Sequence, residues 1–418
     1  MDIVVIGSGM AGARLAQQLA PYSSAGFTVT LIGEEPHAPY NRVLLAEVLA
    51  GRYPADVITL PGAEDRTEDR KGGTRVVRVD RAERAVVCDN GDVVPYDRLV
   101  LATGSNPVLP PLRGLFAEGQ GELPEGVHAF RTMDDCAALS EAVRPGVRAV
   151  VVGGGLLGVS AARALAARGA QVVIATQGEG LMERHLDPAA SQLLRTHIES
   201  LGVEVHTECR VRGLHTTART VQAVELADGY RLDAEIVVLA CGVRPRVGLA
   251  QAAGLEIAKG IVVDDELRTS DPYIHAIGDC AQHDGVVYGL AGPATEQADV
   301  LARILIAQYT PQNTPQEAPR YRGTRTLTRL TLNGPRTMDI ATFGDPVAAP
   351  GDDVLRLADA TRGAYRKVIM RGDRLVGGIL LGDLASVGEL ARTWEGDEPL
   401  PSRAAPLHLL TVTDNGGS

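Results

Sequence analysis

Two glycine clusters carry the clearest chemistry. The first, Gly7-Ser8-Gly9-Met10-Ala11-Gly12, directly follows the apolar run Ile3-Val4-Val5-Ile6 and opens a helical stretch over residues 11–19. In such a loop the first glycine permits a tight turn, the second admits a pyrophosphate to the backbone, and the third lets helix and strand pack closely. The free N–H groups and positive dipole end of the helix then face the phosphates. A strand is expected over residues 29–32, and Glu34 follows it, placed for its carboxylate to accept ribose hydroxyls. The second cluster, Gly153-Gly154-Gly155-Leu156-Leu157-Gly158, repeats the pattern between a strand at 149–152 and a helix to about residue 168, with a further strand at 172–174. Aligned on the first unit, Gln177 stands where Glu34 stood. Glutamine can hydrogen-bond a ribose without charge. No arginine adjoins it to grip a 2′-phosphate, and Arg184 is the nearest downstream. Two dinucleotides are expected, the second with no cation beside Gln177 to favour a 2′-phosphate.

These loops need parallel strands with crossover helices, so the chain reads as α/β. Its 418 residues and 44.0 kDa are enough for two to four domains. A hairpin is expected over residues 76–87, exposed loops at 64–73 and 120–126, and a Pro- and Gln-rich boundary at 310–319. Beyond it the texture changes to short alternating strands, such as Leu375-Val376-Gly377-Gly378-Ile379-Leu380, read as a smaller α+β domain, with residues 413–418 frayed. The net charge of −11 argues against nucleic acid and against an anionic membrane surface. No apolar run approaches the length of a membrane span, and no signal peptide is expected ahead of the strand at residues 1–6. Cys88, Cys136, Cys209, Cys241 and Cys280 form no CxxC pair, which points to the reducing cytoplasm, and no cluster suggests a metal.

Three further segments are Ala102-Thr103-Gly104-Ser105, Gly242-Val243-Arg244-Pro245 and Ile277-Gly278-Asp279-Cys280-Ala281. With the two glycine loops they resemble the FAD-dependent pyridine-nucleotide oxidoreductases. Pro39-Tyr40-Asn41-Arg42-Val43-Leu44-Leu45 is similar to the branch containing rubredoxin and ferredoxin reductases, and especially to the flavin module of bacterial NAD(P)H nitrite reductases. Leu181-Met182-Glu183-Arg184, Tyr288-Gly289-Leu290 and Leu381-Gly382-Asp383 support the likeness, which covers nearly the whole chain.

The resemblance implies two Rossmann-like dinucleotide-binding domains, for FAD and NAD(P), plus a smaller C-terminal α+β domain. Residues 1–112 and 243–318 would form the discontinuous FAD domain, 113–242 the NAD(P) domain and 319–418 the third. Gly7, Gly9, Met10, Ala11, Gly12 and Glu34 would hold the ADP half of FAD. Arg42 would approach its pyrophosphate or ring, and Ala102, Thr103 and Gly104 would line the crossing strand. Asp279 would bind the ribityl chain with Gly278 allowing close approach. Glu296 and Gln297 would begin a helix aimed at the isoalloxazine. Gly153, Gly155, Leu156, Leu157, Gly158, Gln177 and Gly242 would hold NADH or NADPH.

Three departures shape the expected chemistry. No redox cysteine stands early in the chain, since the first is Cys88, so thiol chemistry is not expected. Related ferredoxin reductases pair a lysine and a glutamate beside the flavin; Glu47 and Ser160 stand at those positions here. Glu47 is therefore expected to be a solitary carboxylate near the flavin, able to exchange protons, or else an exposed helix residue. No cysteine follows Cys280, so this chain is not expected to carry the iron–sulfur and siroheme centres of nitrite reductases. The leading expectation is a flavoenzyme passing hydride from NAD(P)H to FAD and electrons to a separate small redox protein or partner reductase. The alternative is an oxidase or dehydrogenase of a small amine- or hydrazine-type metabolite, with a degenerate nicotinamide site and Glu47 as its base. The oligomeric state is left open.

Overall fold

The computed structural model describes residues 1–61, 70–116, 121–309, 318–359, 361–382, 384, 387–396 and 399. Much of the expected loop at 64–73, part of that at 120–126, most of the boundary at 310–319, Asp383 and the terminus at 413–418 lie outside them.

The first run of apolar residues, Asp2–Ile6, sits in the middle of a five-stranded sheet ordered Ile274–Ala276, Arg98–Leu101, Asp2–Ile6, Thr28–Gly33 and Arg70–Gly72. Every pairing is parallel. A parallel strand covered on both faces reads as a continuous hydrophobic run, and Ile3, Val4, Val5 and Ile6 are all buried. The edge strand Arg70–Gly72 falls where the sequence suggested only loop; its residues are polar and lack the alternation that marks a strand.

A second parallel sheet repeats the plan in the order Val203–His206, Gln171–Ala175, Arg148–Val152, Ile236–Leu239 and Val127–Ala129. The two units match in detail: Gly7 N–H donates to the Ile32 carbonyl and Gly153 N–H to the Ala175 carbonyl, each at 2.8 Å. Helices Met10–Leu19 and Leu156–Ala167 follow the two loops. Antiparallel Ser105–Pro107 and Val243–Pro245 tie the units together. The expected hairpin forms from Val76–Asp80 and Ala85–Cys88.

The C-terminal region is a five-stranded antiparallel sheet, ordered Leu327–Leu332, Met338–Gly344, Arg374–Leu381, Ala364–Arg371 and Asp353–Asp359. Helix Val387–Gly396 covers one face through Leu390 and Trp394, whose ring lies 5.5 Å from that of Phe343. On another side Leu332, Met338, Ile340 and Ile379 join the core of the second unit, which also takes in Tyr40, Leu45 and Leu49 from the Arg42 segment. That shared core brings pieces of all three regions to one place.

Candidate functional site

A single cavity of about 1230 Å³ runs from the first glycine loop to the second and is closed on one side by residues 327–330 of the C-terminal sheet. At the first loop, a Cβ on Gly7 (φ +113°) would lie 2.1 Å from the Ala102 carbonyl oxygen, and one on Gly12 2.0 Å from the Gly7 carbonyl oxygen. Both positions exclude a side chain by contact with backbone. Gly9 instead faces the cavity, with Arg42 Nη2 at 3.9 Å from its would-be Cβ. Met10–Leu19 has no side-chain cap and no acid in its first turn, so its leading N–H groups are left for an anion. The second loop is built alike: a Cβ on Gly153 (φ +114°) would meet the Ala240 carbonyl oxygen at 2.4 Å, and one on Gly158 the Gly153 carbonyl oxygen at 1.9 Å. Gly153, Gly155, Leu156, Leu157 and Gly242 line the cavity; Gly12 and Gly158 pack behind it.

Most of the predicted flavin residues converge. Met10, Ala11, Glu34, Arg42, Ala102, Thr103, Gly104, Gly278 and Asp279 all line the cavity. Arg42 is fixed by donating to Glu35 Oε1 at 2.8 Å and to the Arg131 carbonyl at 2.9 Å. The Tyr40 hydroxyl donates to the other Glu35 oxygen at 2.6 Å. Glu34 pairs with Arg246 at 2.5 Å, which in turn donates to Asn106.

Arg131 is the residue the sequence reading missed. Its guanidinium donates to Asp279 Oδ2 at 2.5 Å and to Ser105 Oγ at 2.7 Å, while Ser105 Oγ donates to the same carboxylate oxygen at 2.9 Å. Burial pulls the Arg131 guanidinium down and Asp279 opposes that effect. Its buried Nε has no hydrogen-bond partner. The available signal was local: Arg131 precedes Thr132, the N-cap of helix Met133–Ala142, in a capping box closed by Asp135. That box fixes the backbone that presents Arg131.

Three predicted positions fall elsewhere. Glu296 is exposed and Gln297 is buried behind the cavity, accepting from Gly278 N–H at 2.7 Å through Oε1. Their helix begins earlier, at Ala291–Tyr309, because Pro293 lies in the first turn, where its missing N–H costs nothing. Residues 291 and 292 reach the cavity instead. Gln177 is exposed and away from the cavity; buried Thr176 is the strand-end side chain that faces it.

Glu47 is not solitary. Its Oε1 accepts from Arg163 Nη2 at 2.6 Å, with side chains 11% and 2% exposed, and Arg52 and Asn333 approach Oε2 at 3.5 Å. Arg163 stands one helical turn beyond Ser160, so the pair lies behind the cavity, and Ser160 turns its hydroxyl to the Leu156 carbonyl. Leu45, Ala46, Leu156, Leu157 and Ser160 line the cavity, whereas Glu47 and Arg163 do not.

All five cysteines are free. Burial raises the Cys280 thiol, and the Cys241 thiol that lines the cavity is raised likewise, which disfavours a nucleophilic thiolate. Among the described residues no cluster of three or more His, Cys, Asp or Glu is placed to hold a metal, and no helix is long and apolar enough to cross a membrane.

Residues 1–299 match the family described as pyridine nucleotide-disulphide oxidoreductase, and residues 337–395 the rubredoxin NAD+ reductase C-terminal domain. A nitrite reductase [NAD(P)H] of Bacillus subtilis (strain 168) is 34% identical over 91% of this chain and 46% of its own length. The chain thus spans about half the length of that relative. The rubredoxin-NAD(+) reductase of Pseudomonas putida is 31% identical over 77% of this chain and 83% of its own. Among solved structures, putidaredoxin reductase in its covalent complex with putidaredoxin superposes with a TM-score of 0.84 at 25% identity, covering 98% of this chain and 95% of that one. The ferredoxin reductase for the CYP199A2 system from Rhodopseudomonas palustris gives 0.83 at 26%, covering 98% of each. The paired loops, the cavity joining them and these likenesses agree: the chain belongs to the pyridine nucleotide-disulphide oxidoreductase family.

Proposed function

We propose that this chain is an NAD(P)H:acceptor oxidoreductase that delivers electrons to a separate protein, either a small redox protein or a partner reductase. The observation that carries this reading is the continuous cavity lined by both glycine loops, which supports binding of two dinucleotides in contact. FAD, when bound, supplies the chemistry that links a two-electron donor to an electron-accepting protein. The residues contribute binding and orientation. Gly7, Gly9, Gly12 and the N-terminus of Met10–Leu19 would hold the FAD pyrophosphate, with Arg42 beside Gly9 as its cation. Glu34 would take the adenosine ribose, and Asp279, held by Arg131 and Ser105, the ribityl hydroxyls. Residues 1–112 with 243–318, 113–242 and 319–418 are the units of this reading. Relatives named for rubredoxin and for ferredoxin support a small redox protein as acceptor. The amine-oxidase alternative loses its base, because Glu47 is engaged by Arg163 behind the cavity.

Anaerobic mixing with NADH is expected to bleach the bound flavin in a single fast phase, and ferredoxin or rubredoxin is expected to restore the colour. A variant with all five cysteines changed to alanine or serine should be bleached at near the native rate. Absence of bleaching by either nicotinamide would sink the proposal, and loss of bleaching in the cysteine-free protein with flavin retained would bring a thiol step back. Separately, Asp279→Ala leaves Arg131 buried beside only a hydroxyl. It is expected to lower flavin affinity by about 1.5–3 kcal/mol, or roughly 10- to 100-fold. Flavin content after dialysis measures this; full retention would remove Asp279 from the site.

A further inference from the structure

The second glycine loop lacks a carboxylate at its strand end, where Thr176 faces the cavity. The structure supplies one from another direction. The segment after the strand folds back over the loop: Met182 N–H donates to the Gly154 carbonyl at 2.8 Å, and the His185 N–H closes a turn on the Met182 carbonyl at 2.8 Å. Met182 is buried and holds φ +52°, a left-handed conformation that a non-glycine residue adopts only when its surroundings impose it. This turn delivers Glu183 to the strand end. A Cβ built on Gly178 would lie 2.3 Å from Glu183 Oε2, so the carboxylate rests directly against the backbone just beyond Thr176. Backbone hydrogen bonds from Glu208 N–H to the Gly178 carbonyl and from Cys209 N–H to the Thr176 carbonyl, each 2.9 Å, hold that edge in place. Glu183 lines the cavity, and among the described residues nothing hydrogen-bonds or ion-pairs with it.

We propose that Glu183 is the carboxylate that receives the adenosine ribose of the nicotinamide dinucleotide, and that it selects NADH over NADPH. A carboxylate accepts two ribose hydroxyls and repels a 2′-phosphate. Arg184 and His185 also border this part of the cavity. Burial together with Arg184 lowers the His185 imidazole, which disfavours a second cation there. The assignment rests on the nicotinamide half of the proposed function.

The test is calorimetric titration of the oxidised flavin-loaded protein with NAD+, NADP+ and ADP-ribose, alongside the KM and kcat of flavin reduction. Glu183→Ala is expected to weaken NAD+ and ADP-ribose about 10-fold and to leave NADP+ unchanged or tighter. The KM for NADH should rise with kcat held, because the ribose is remote from the transferred hydride. Unchanged NAD+ affinity, or equal losses with NAD+ and NADP+, would overturn the role of Glu183 while leaving the enzyme reading intact. A wild-type protein that binds neither dinucleotide would overturn both.

Discussion

Replacing Arg163 by methionine is expected to cost about 3–5 kcal/mol of stability, because it strands a buried carboxylate. Glu47 would keep only Asn333 and the half-exposed Arg52, both at 3.5 Å, in place of a 2.6 Å charge-assisted bond. The loss falls at a junction. Glu47 sits on Leu45–Leu49 in the Arg42 segment, Arg163 on the helix that opens from the second glycine loop, and Asn333 in the C-terminal region. Leu45 and Ala46 line the cavity beside Ser160, so loosening the pair should also widen the meeting point of the two sites. The double variant Glu47→Gln/Arg163→Met removes both charges and should recover most of the loss, since a buried pair is worth little over a neutral replacement of its shape. Urea unfolding of the flavin-loaded proteins decides this. A cost below about 1 kcal/mol for Arg163→Met would mean that water reaches Glu47 and that the junction is not sealed.

The glycine loops were legible in the sequence because their constraint is local. A Cβ on Gly12 would lie 2.0 Å from the Gly7 carbonyl oxygen, and the strand, loop and helix that enforce this contact are contiguous. Asp279 was legible for the same reason. What escaped were partnerships across long stretches of chain. Arg131 meets Asp279 148 residues away, and Glu47 meets Arg163 at a separation of 116. Neither pairing leaves a periodic trace. Glu47 looked solitary because position 160, where a partner was sought, holds serine; the cation had moved one helical turn along, to a position that faces the same segment. Strand register puts Gln177 at the place of Glu34, yet Gln177 is exposed and away from the cavity while buried Thr176 lines it. Consecutive residues alternate faces at a strand end, and a one-residue choice decides which one meets the ligand. Helix Ala291–Tyr309 begins ahead of Glu296 because Pro293 lies in its first turn, where a missing N–H costs nothing.

Lowering the pH from 7.5 to 4.5 is expected to remove about 3 kcal/mol of stability through His275 alone. This imidazole stands in strand Ile274–Ala276, at 1% exposure, paired in register with Val100, and neither ring nitrogen has a hydrogen-bond partner. Burial, reinforced by Arg98 and Arg268 and opposed by Asp264, pushes it down to about 3. An unfolded histidine takes its proton near pH 6.5. Above that value both states are neutral and His275 confers no pH dependence. Between 6.5 and 3 only the unfolded chain is protonated, so stability falls by about 1.4 kcal/mol for each unit of acidification. Below 3 both states carry the proton and the slope from this group vanishes. His275→Leu removes the titrating group and both unpartnered nitrogens, so at pH 7.5 the variant should be no less stable than the native protein. At pH 4.5 it should be more stable by about 3 kcal/mol, with a residual slope from His128, His185 and His197, which burial also lowers. The strand runs directly into Gly278 and Asp279, so acid should act on flavin retention as well as on folding. Flavin release at pH 4.5, followed by the rise in free-flavin fluorescence, should be slower in His275→Leu than in the native protein. An identical pH slope in the two proteins would show that the imidazole is hydrated or free to turn out in the native state, and that acid lability begins elsewhere.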